Sequence, residues 1–446
     1  MSFRLPGGRA RPVSAPSRAY DRDILKLALP ALGALAAEPL YVLVDTAIVG
    51  HLGTTQLAAL AIAATVLSSA FTVFNFLTYG TTAQVARLHG AGRDDEAAVV
   101  GAQAQWLAVL VGLGLLVLAI ALAGPVVRLM GGDGRVADGA VLYLRIAALG
   151  GPLFMLAAAG QGYLRGTGDM RTPLVILVVA HVVNALLEVL FVYGFGWGLA
   201  GSAWGTVIAQ LGMAGAFLRV QLRAGYAPPD WARMRRLARV GGEIAVRTTA
   251  LLGVFLVCSA VLARVGAASL GAHQIGYQLF LFIALVLDAV AIAGQVLVGR
   301  MLGAGDATGA HAAAVRMIGW SVVFGFAFTL VLLAFEGVLP RLFTGDAQVI
   351  ERARAMWPLL AAMMPFNGAV FALDGILIGA GDTRFLAVSM LASAAASIPL
   401  AVAALSLGWG IAGVWAALCA FIAVRLVTCA ARFASGRWAL TGATIR

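Results

Sequence analysis

Residues 162–171 read GYLRGTGDMR, and residues 375–384 read GILIGAGDTR. The two stretches lie 213 residues apart, and the same gapless offset superposes residues 51–93 on residues 264–306. One offset that holds over two separate regions is the signature of an internal duplication. The chain is therefore predicted to consist of two similar halves.

The sequence around these repeats is strongly apolar. Hydrophobic residues make up 61% of the chain and charged residues 11%, and the mean hydropathy is +0.94. A membrane-spanning helix needs about 20 mostly apolar residues, and runs of that length predict twelve spans. In the first half they cover residues 24–49, 56–82, 98–122, 143–165, 173–194 and 199–221. In the second half they cover residues 243–263, 272–298, 313–335, 355–378, 385–406 and 410–432.

The predicted fold is thus an all-α polytopic membrane protein with two six-helix lobes. Because each lobe has an even number of spans, both enter the membrane in the same direction and are expected to be related by pseudo-twofold symmetry. The N-terminal lobe is predicted to cover residues 23–221 and the C-terminal lobe residues 243–434, with a cytoplasmic linker at 222–242. Residues 1–22 are predicted to be a disordered cytoplasmic tail, and residues 435–446 a second cytoplasmic tail.

The formal charge of +11 has a topological explanation. Most of the 31 Lys and Arg residues, Arg425 included, are assigned to the side of the membrane that holds the N-terminus. This bias predicts that both termini are cytoplasmic and argues against nucleic acid as a partner. The chain also lacks ATPase, zinc protease and serine hydrolase motifs, so we expect a protein that is not an enzyme and has no cofactor.

Acidic side chains inside the predicted spans are the candidates for function. An ionised side chain at the centre of a membrane helix costs about 2.5–3.5 kcal/mol on insertion scales. No Lys or Arg is assigned deep within a span, and a cavity lined only by acids favours cations. The acids in question are Glu38, Asp45, Glu188, Asp288 and Asp374.

Two polar stripes bring some of these acids together with other polar groups. On span 1, Tyr41 lies between Glu38 and Asp45 on one helix face, and on span 5 the stripe is His181, Asn184 and Glu188. Asp45, Glu188 and Thr206 of span 6 should meet in the outer half of the N-terminal lobe. Two buried acids without a basic partner make a poor structural pair, which favours proton binding over a structural role.

The other candidates have structural interpretations of similar weight. Glu38 could be structural, His181 could be a hydrogen-bonding core residue, and Asp374 could be hydrated at a helix end. Asp288 aligns with Asn75 across the repeat, which is also typical of helix packing. Pro30 and Pro39 interrupt span 1, where they permit a hinge or only shape the helix.

Three motifs resemble the MATE (multidrug and toxic compound extrusion) family, specifically its DinF-like branch. They are AEPLYVLVDTAIVGHLG at residues 37–53, AHQI at residues 272–275 and LIGAGDTR at residues 377–384. The resemblance covers residues 21–435. It implies a twelve-helix transporter that exports lipophilic or cationic organic compounds in exchange for protons or sodium.

The resemblance also assigns residue roles. It places the cation-coupling site at Asp45, Asn184, Glu188 and Thr206, and a bending proline at Pro30. Archaeal relatives carry Asp where this chain has Glu188. A proton is the favoured coupling ion, and a sodium ion bound by Asp45, Asn184 and Glu188 is the alternative. Candidates for the substrate cavity are Glu38, Tyr41, His181, Gln274, Asp288 and Asp374.

The expected protein is a monomeric secondary transporter in a bacterial plasma membrane, working by alternating access. A lipid-linked oligosaccharide flippase is a second hypothesis, but it would require basic cavity residues. A membrane sensor or scaffold without transport is a third, against which the short loops argue. The physiological substrate is left open by the sequence.

Overall fold

The structure, a computed structural model, describes residues 19–444, in which every regular element is helical. This agrees with the all-α prediction. In the first half the helices are α1 Ala19–Gly50, α2 Thr54–Phe74, α3 Phe76–Gly90, α4 Asp94–Leu129, α5 Gly134–Ala148, α6 Gly151–Gly166, α7 Arg171–Val189 and α8 Gly198–Ala224. A π-helical turn, Leu190–Gly194, extends α7. In the second half they are α9 Trp231–Val265, α10 Ala267–Gly303, α11 Ala307–Ala334, α12 Leu339–Phe343, α13 Ala347–Gly379, α14 Thr383–Ser406 and α15 Gly410–Ala434.

Within the described residues, ten helices are long and apolar enough to cross a membrane, and α5 with α6 makes an eleventh if the pair counts as one span. The axes of α5 and α6 differ by 48°. The break between them consists of Leu149 and Gly150, and Pro152 follows in the first turn of α6. Predicted span 2 is also broken, because α2 ends at Phe74 and α3 begins at Phe76. The polytopic membrane fold is confirmed, and these two breaks explain why fewer than twelve continuous spans are found.

The chain forms two compact units. One is Pro30–Ala245, and the other combines Val246–Arg446 with the chain up to Leu29. The boundaries lie inside α1 and α9, whereas the predicted lobes meet in a linker at residues 222–242. Most of that linker is helical, because α8 continues to Ala224 and α9 begins at Trp231. The short non-helical segment between them contains two prolines, which cannot donate backbone hydrogen bonds.

Equivalent glycines in the two halves allow close helix contacts. A Cβ atom added to Gly162 on α6 would lie 2.7 Å from the carbonyl oxygen of Thr78 on α3. A Cβ atom added to Gly375 on α13 would overlap the carbonyl oxygen of Ala291 on α10. Gly162 and Thr78 correspond to Gly375 and Ala291 at the repeat offset of 213. The duplication therefore also holds for this helix contact.

The two predicted tails are partly folded. The predicted N-terminal tail lies outside the described residues up to residue 18, and residues 19–22 belong to α1. There Asp21 accepts hydrogen bonds from Arg316, at 2.6 and 2.7 Å, and from Trp320 at 2.8 Å. At the other terminus Trp438 is buried and the Gly442 N–H donates to the carbonyl of Leu302. Segments predicted as tails therefore pack against the second unit.

We expect Gly375→Ala to lower the thermal stability of the detergent-solubilised protein. The added methyl group has no space against the backbone of Ala291, and overpacking of this kind costs about 1–3 kcal/mol. Gly319→Ala is the matched control, because nothing lies within 4 Å of its added Cβ atom. Equal melting temperatures for the two variants in a fluorescence-detected unfolding assay would contradict the proposed close contact.

Candidate functional site

The first unit contains a cavity of about 1430 Å³, including the part that is open to solvent. Its wall combines residues from α1, α2, α3, α5, α6, α7 and α8. Six residues singled out in the sequence line it, namely Glu38, Tyr41, Asp45, His181, Asn184 and Thr206. The two polar stripes of spans 1 and 5 thus face one space.

Two acidic side chains are buried at one side of this cavity. Asp45 is 6% exposed and Glu188 is 0% exposed. The Ser202 hydroxyl donates to Asp45 Oδ1 at 2.7 Å, and the Thr206 hydroxyl lies 3.4 Å from Glu188 Oε1. The carboxyl groups are close enough to interact with each other electrostatically. Helices α1, α7 and α8 each contribute at least one member of this cluster.

The Thr206 hydroxyl is the shared neighbour of the polar side chains. Asn184 Nδ2 donates to it at 3.2 Å, and the Tyr41 hydroxyl lies 3.1 Å away. A hydroxyl carries one proton, and for Thr206 both Glu188 and the Ser202 carbonyl, at 3.2 Å, are acceptors. Which of the two acceptors receives the Thr206 hydrogen bond therefore depends on whether the Glu188 carboxyl group is ionised or protonated.

Glycines on α8 allow this helix to approach the acidic part of α7. A Cβ atom at Gly205 would lie 3.0 Å from Glu188 Cγ, and one at Gly201 would lie 2.8 Å from the Phe191 carbonyl carbon. Side chains at these two positions would push α8 away from Glu188. Small residues at such spacing are the usual means by which membrane helices pack closely.

The cluster lacks a neutralising base. Among residues 19–444, no Lys, Arg or His forms an ion pair with Asp45 or Glu188. Glu188 Oε2 and Asn184 Oδ1 are buried acceptor atoms without a hydrogen-bond partner in that part of the chain. Unpaired charges and unsatisfied acceptors are costly in such a setting. A bound proton or a small cation would remove that cost.

A metal cluster of the usual kind is not found in the described part of the chain. No group of three or more His, Cys, Asp or Glu side chains there is arranged to hold a metal ion. A sodium ion prefers oxygen ligands, and Asp45, Glu188 and the Asn184 carbonyl oxygen are of that type. The residues present therefore fit a proton and also fit sodium.

An aromatic surface lies beside the acids. The Tyr41 and His181 rings stack with centroids 4.9 Å apart and an angle of 16° between planes. Glu38 lies one turn before Tyr41 on α1 and is exposed in the cavity wall. An acid beside a stacked aromatic pair is suited to contact a flat organic cation.

The cavity is not purely acidic. Arg165 of α6 lines it and is itself buried, as are Arg87 of α3 and Arg425 of α15. These three arginines are therefore packed among helices, which their assignment to the cytoplasmic side did not predict. Arg425 lies inside α15, nine residues before its end, and within the predicted span 410–432, although the charge count assigned it to the cytoplasmic side.

Asp374 in the second unit is neutralised by bases. Arg247 of α9 and Arg425 of α15 both form ion pairs with its Oδ2 atom. Asp374 and Arg425 are each 3% exposed, and the Arg425 guanidinium also lies 5.5 Å from the Phe421 ring centroid. The two ion pairs link α13 to α9 and α15. Asp374 was expected to offer a free carboxylate to a cation, but its carboxylate is paired with two guanidinium groups.

The remaining predicted residues are separate from this cavity. Gln274 is exposed and Asp288 is half-buried, and both lie on α10 of the second unit. Pro30 and Pro39 lie inside α1, which continues through both as one helix. A hinge at either proline stays a prediction.

Two residues near the acids were missed in the sequence. Ser202 lies one turn before Thr206 on α8, and this spacing could have placed it on the same face. Tyr143 of α5 is buried near both carboxyl groups, but it lies on the apolar face of its helix, beside Ala140 and Ala147. Its position could be seen only once α5 was packed against α8.

Both halves of the chain match one family. The MatE family model matches residues 30–190 and residues 244–403. Together these two ranges cover most of the chain. The chain belongs to the MATE family. The resemblance expected from the three sequence motifs is thereby confirmed, and the family is one of membrane transporters.

Relatives of this MATE protein occur in plants and bacteria. Protein DETOXIFICATION 44, chloroplastic, of Arabidopsis thaliana is 31% identical over 442 residues, which are 93% of this chain and 83% of that protein. DNA damage-inducible protein F of Escherichia coli is 28% identical over 446 residues, 94% of each chain. A structure described as the outward-facing conformation of a multidrug resistance MATE family transporter of the MOP superfamily superposes with a TM-score of 0.84. Identity to that structure is 19%, with coverage of 95% of this chain and 96% of the other.

We expect Asp374→Asn to reduce folded yield more strongly than Asp45→Asn. The first change leaves two guanidinium groups without a carboxylate, and breaking a buried ion pair costs about 3–5 kcal/mol. The second change removes a charge that has no basic partner among the described residues. Monodisperse protein after size-exclusion chromatography is the measurement, and equal yields would contradict the structural role of Asp374.

Proposed function

We propose that this MATE transporter exports small organic cations by antiport with protons. The observation that carries the proposal is the buried pair Asp45 and Glu188, of which Asp45 lines the cavity. Neither acid has a basic partner among the described residues. A pair of this kind binds a proton or a cation because both carboxylates cannot remain charged and close at low cost. Mutually exclusive occupancy by proton and substrate is the requirement for antiport.

The route of coupling is as follows. With the cavity open to the outside, Asp45 and Glu188 take up a proton and the negative charge facing the substrate cation falls. The Thr206 hydroxyl then turns its own proton from Glu188 towards the Ser202 carbonyl, which lies within 3.2 Å. The cation leaves, and the protonated cluster returns inward, where release of the proton restores the affinity for the next cation.

The cavity wall supports an organic rather than an inorganic cargo. The Tyr41 and His181 stack offers a flat face, and Glu38 offers a counter-charge beside it. Most of the lining is apolar, which matches a lipophilic cation. Arg165 limits how much positive charge the cavity accepts near α6.

Sodium is the second candidate for the coupling ion. Glu188 Oε2 and Asn184 Oδ1 are buried oxygens without a hydrogen-bond donor in the described part of the chain. Both could complete a set of oxygen ligands with Asp45. Proton coupling is favoured because a proton shared between two carboxyl groups needs no further ligands.

The cell biology is part of the same proposal. The distribution of Lys and Arg favours cytoplasmic termini in a bacterial plasma membrane. The two units contain all the residues of the proposed cycle within one chain, which favours a monomer. A lipid-linked oligosaccharide flippase has less support, since Arg165 is the one Lys or Arg among the described residues that line the cavity.

The test uses purified protein in liposomes with a fluorescent organic cation. We expect uptake into vesicles driven by an imposed pH gradient without sodium, and at least a tenfold loss in Asp45→Asn and Glu188→Gln. Asp95→Asn is the matched control, because Asp95 is exposed at the start of α4 and should transport normally.

Three outcomes separate the hypotheses. Transport that requires a sodium gradient would keep the exporter but replace the coupling ion. Proton-driven transport that survives in Asp45→Asn would overturn the role of the acidic pair. No transport under either gradient would reject cation export and lead to a flippase assay with a fluorescent lipid.

A further inference from the structure

The two halves differ by one residue in the fifth helix of each repeat. The offset of 213 holds up to Arg171 and Arg384, but the motif GWGLAG at residues 196–201 lies only 212 residues before GWGIAG at residues 408–413. Both motifs place glycines at positive φ, at 71° for Gly196 and 68° for Gly408. They are thus the same turn, and the first half has an extra residue before it.

The extra residue is accommodated by the π-helical turn Leu190–Gly194. The Phe195 N–H donates to the carbonyl of Leu190, five residues back, at 2.9 Å. The equivalent bond in the second half runs from Leu407 to Ala403, four residues back, also at 2.9 Å. Helix α14 is α-helical throughout, whereas α7 ends in the π turn. A single inserted residue is the usual origin of a π turn, and such turns are frequent at functional sites.

The insertion occurs in the half that carries the acidic cluster. In the second half, which lacks the extra residue, the two acids and three polar residues of the cluster are replaced by thiol, apolar or small residues. Asp45, Asn184 and Glu188 correspond at offset 213 to Cys258, Ser397 and Ala401, and Ser202 and Thr206 correspond at offset 212 to Val414 and Leu418.

The π turn contacts both helices that complete the cluster. The Tyr193 hydroxyl donates to the carbonyl oxygen of Ile48 at 2.5 Å, and Ile48 lies three residues after Asp45 on α1. Gly201 of α8 packs against the Phe191 backbone within the turn. Glu188 itself lies two residues before the turn begins. The turn therefore joins the helix of Glu188 to the helix of Asp45.

Geometry explains why the insertion matters. One residue in an α-helix turns the side chains that follow by about 100°. Without the extra residue, Tyr193 would point away from α1 and its bond to Ile48 would be lost. The carbonyl of Ile48 accepts this bond from a side chain of a different helix, which is a direct tie between α1 and α7.

We propose that the π turn Leu190–Gly194 is an inserted positioning element for the acidic pair, and that Tyr193 is its positioning residue. The turn sets the separation of Asp45 and Glu188 by fixing α1 against α7 beyond the two acids. This inference rests on the proposed proton-coupled transport. It adds that coupling depends on residues that contact neither the proton nor the cargo.

The experiment measures the initial rate of cation transport against pH in liposomes. We expect Tyr193→Phe, which removes only the hydroxyl, to shift the midpoint of the pH profile and to lower the rate roughly three- to tenfold. Deletion of Leu190 restores the α-helical register of the second half and should abolish proton-driven transport. Leu190 is the residue to delete because its side chain is exposed. Tyr226→Phe, at an exposed tyrosine of the non-helical segment between α8 and α9, is the control and should resemble the unmodified protein.

The outcomes separate the two proposals. If the unmodified protein does not couple cation movement to protons, the proposed function fails and this inference falls with it. If it does, and Tyr193→Phe keeps the original rate and pH profile, the inference alone is overturned. A lower rate with an unchanged pH midpoint would also overturn it, since that result indicates a merely structural role. If the deletion variant fails to fold, Tyr193→Phe decides by itself.

Discussion

The cost of an unpaired charge in an apolar surrounding governs how this protein is built. A charged side chain in a membrane helix must find a partner, reach water or bind an ion. The two units meet this requirement differently. The second unit pairs Asp374 with two guanidinium groups, so this charge is neutralised within the protein itself. The first unit leaves Asp45 and Glu188 without a basic partner in the described chain, with Asp45 in the wall of a cavity and Glu188 buried beside it, so their charge depends on what binds there.

Duplication followed by divergence explains this difference. Equivalent helical segments, one equivalent glycine contact and the same GWG turn occur in both units, so the framework itself does not decide which half performs chemistry. Asp45 is replaced by Cys258 and Glu188 by Ala401 in the equivalent positions. The second unit is thus an internal comparison that indicates which features the first unit needs beyond its fold. Those features are the acids, their hydroxyl neighbours and the extra residue in α7.

Much of this arrangement could be predicted from local patterns. Hydropathy predicted the helices, and helical spacing placed Tyr41 with Asp45 and Asn184 with Glu188. These inferences depend on one helix at a time. The ion pairs of Asp374 could not be predicted, because Arg247 and Arg425 lie on different helices and an apolar run does not report what its few polar residues contact. The breaks at Asn75 and at residues 149–150 were missed for a similar reason, since a broken helix remains equally apolar. The only sequence signal of the π turn is that the repeat offset changes from 213 to 212 residues.

The division of α1 between the two units has a consequence for how the chain can be assembled. Residues before Pro30 group with the second unit, and Asp21 is held there by Arg316 and Trp320. Helix α1 is therefore synthesised before α11, which carries the binding partners of Asp21. Although the sequence repeats, neither repeat is a complete folding module. Two separately expressed halves, cut between the repeats, would each lack a segment that the other carries.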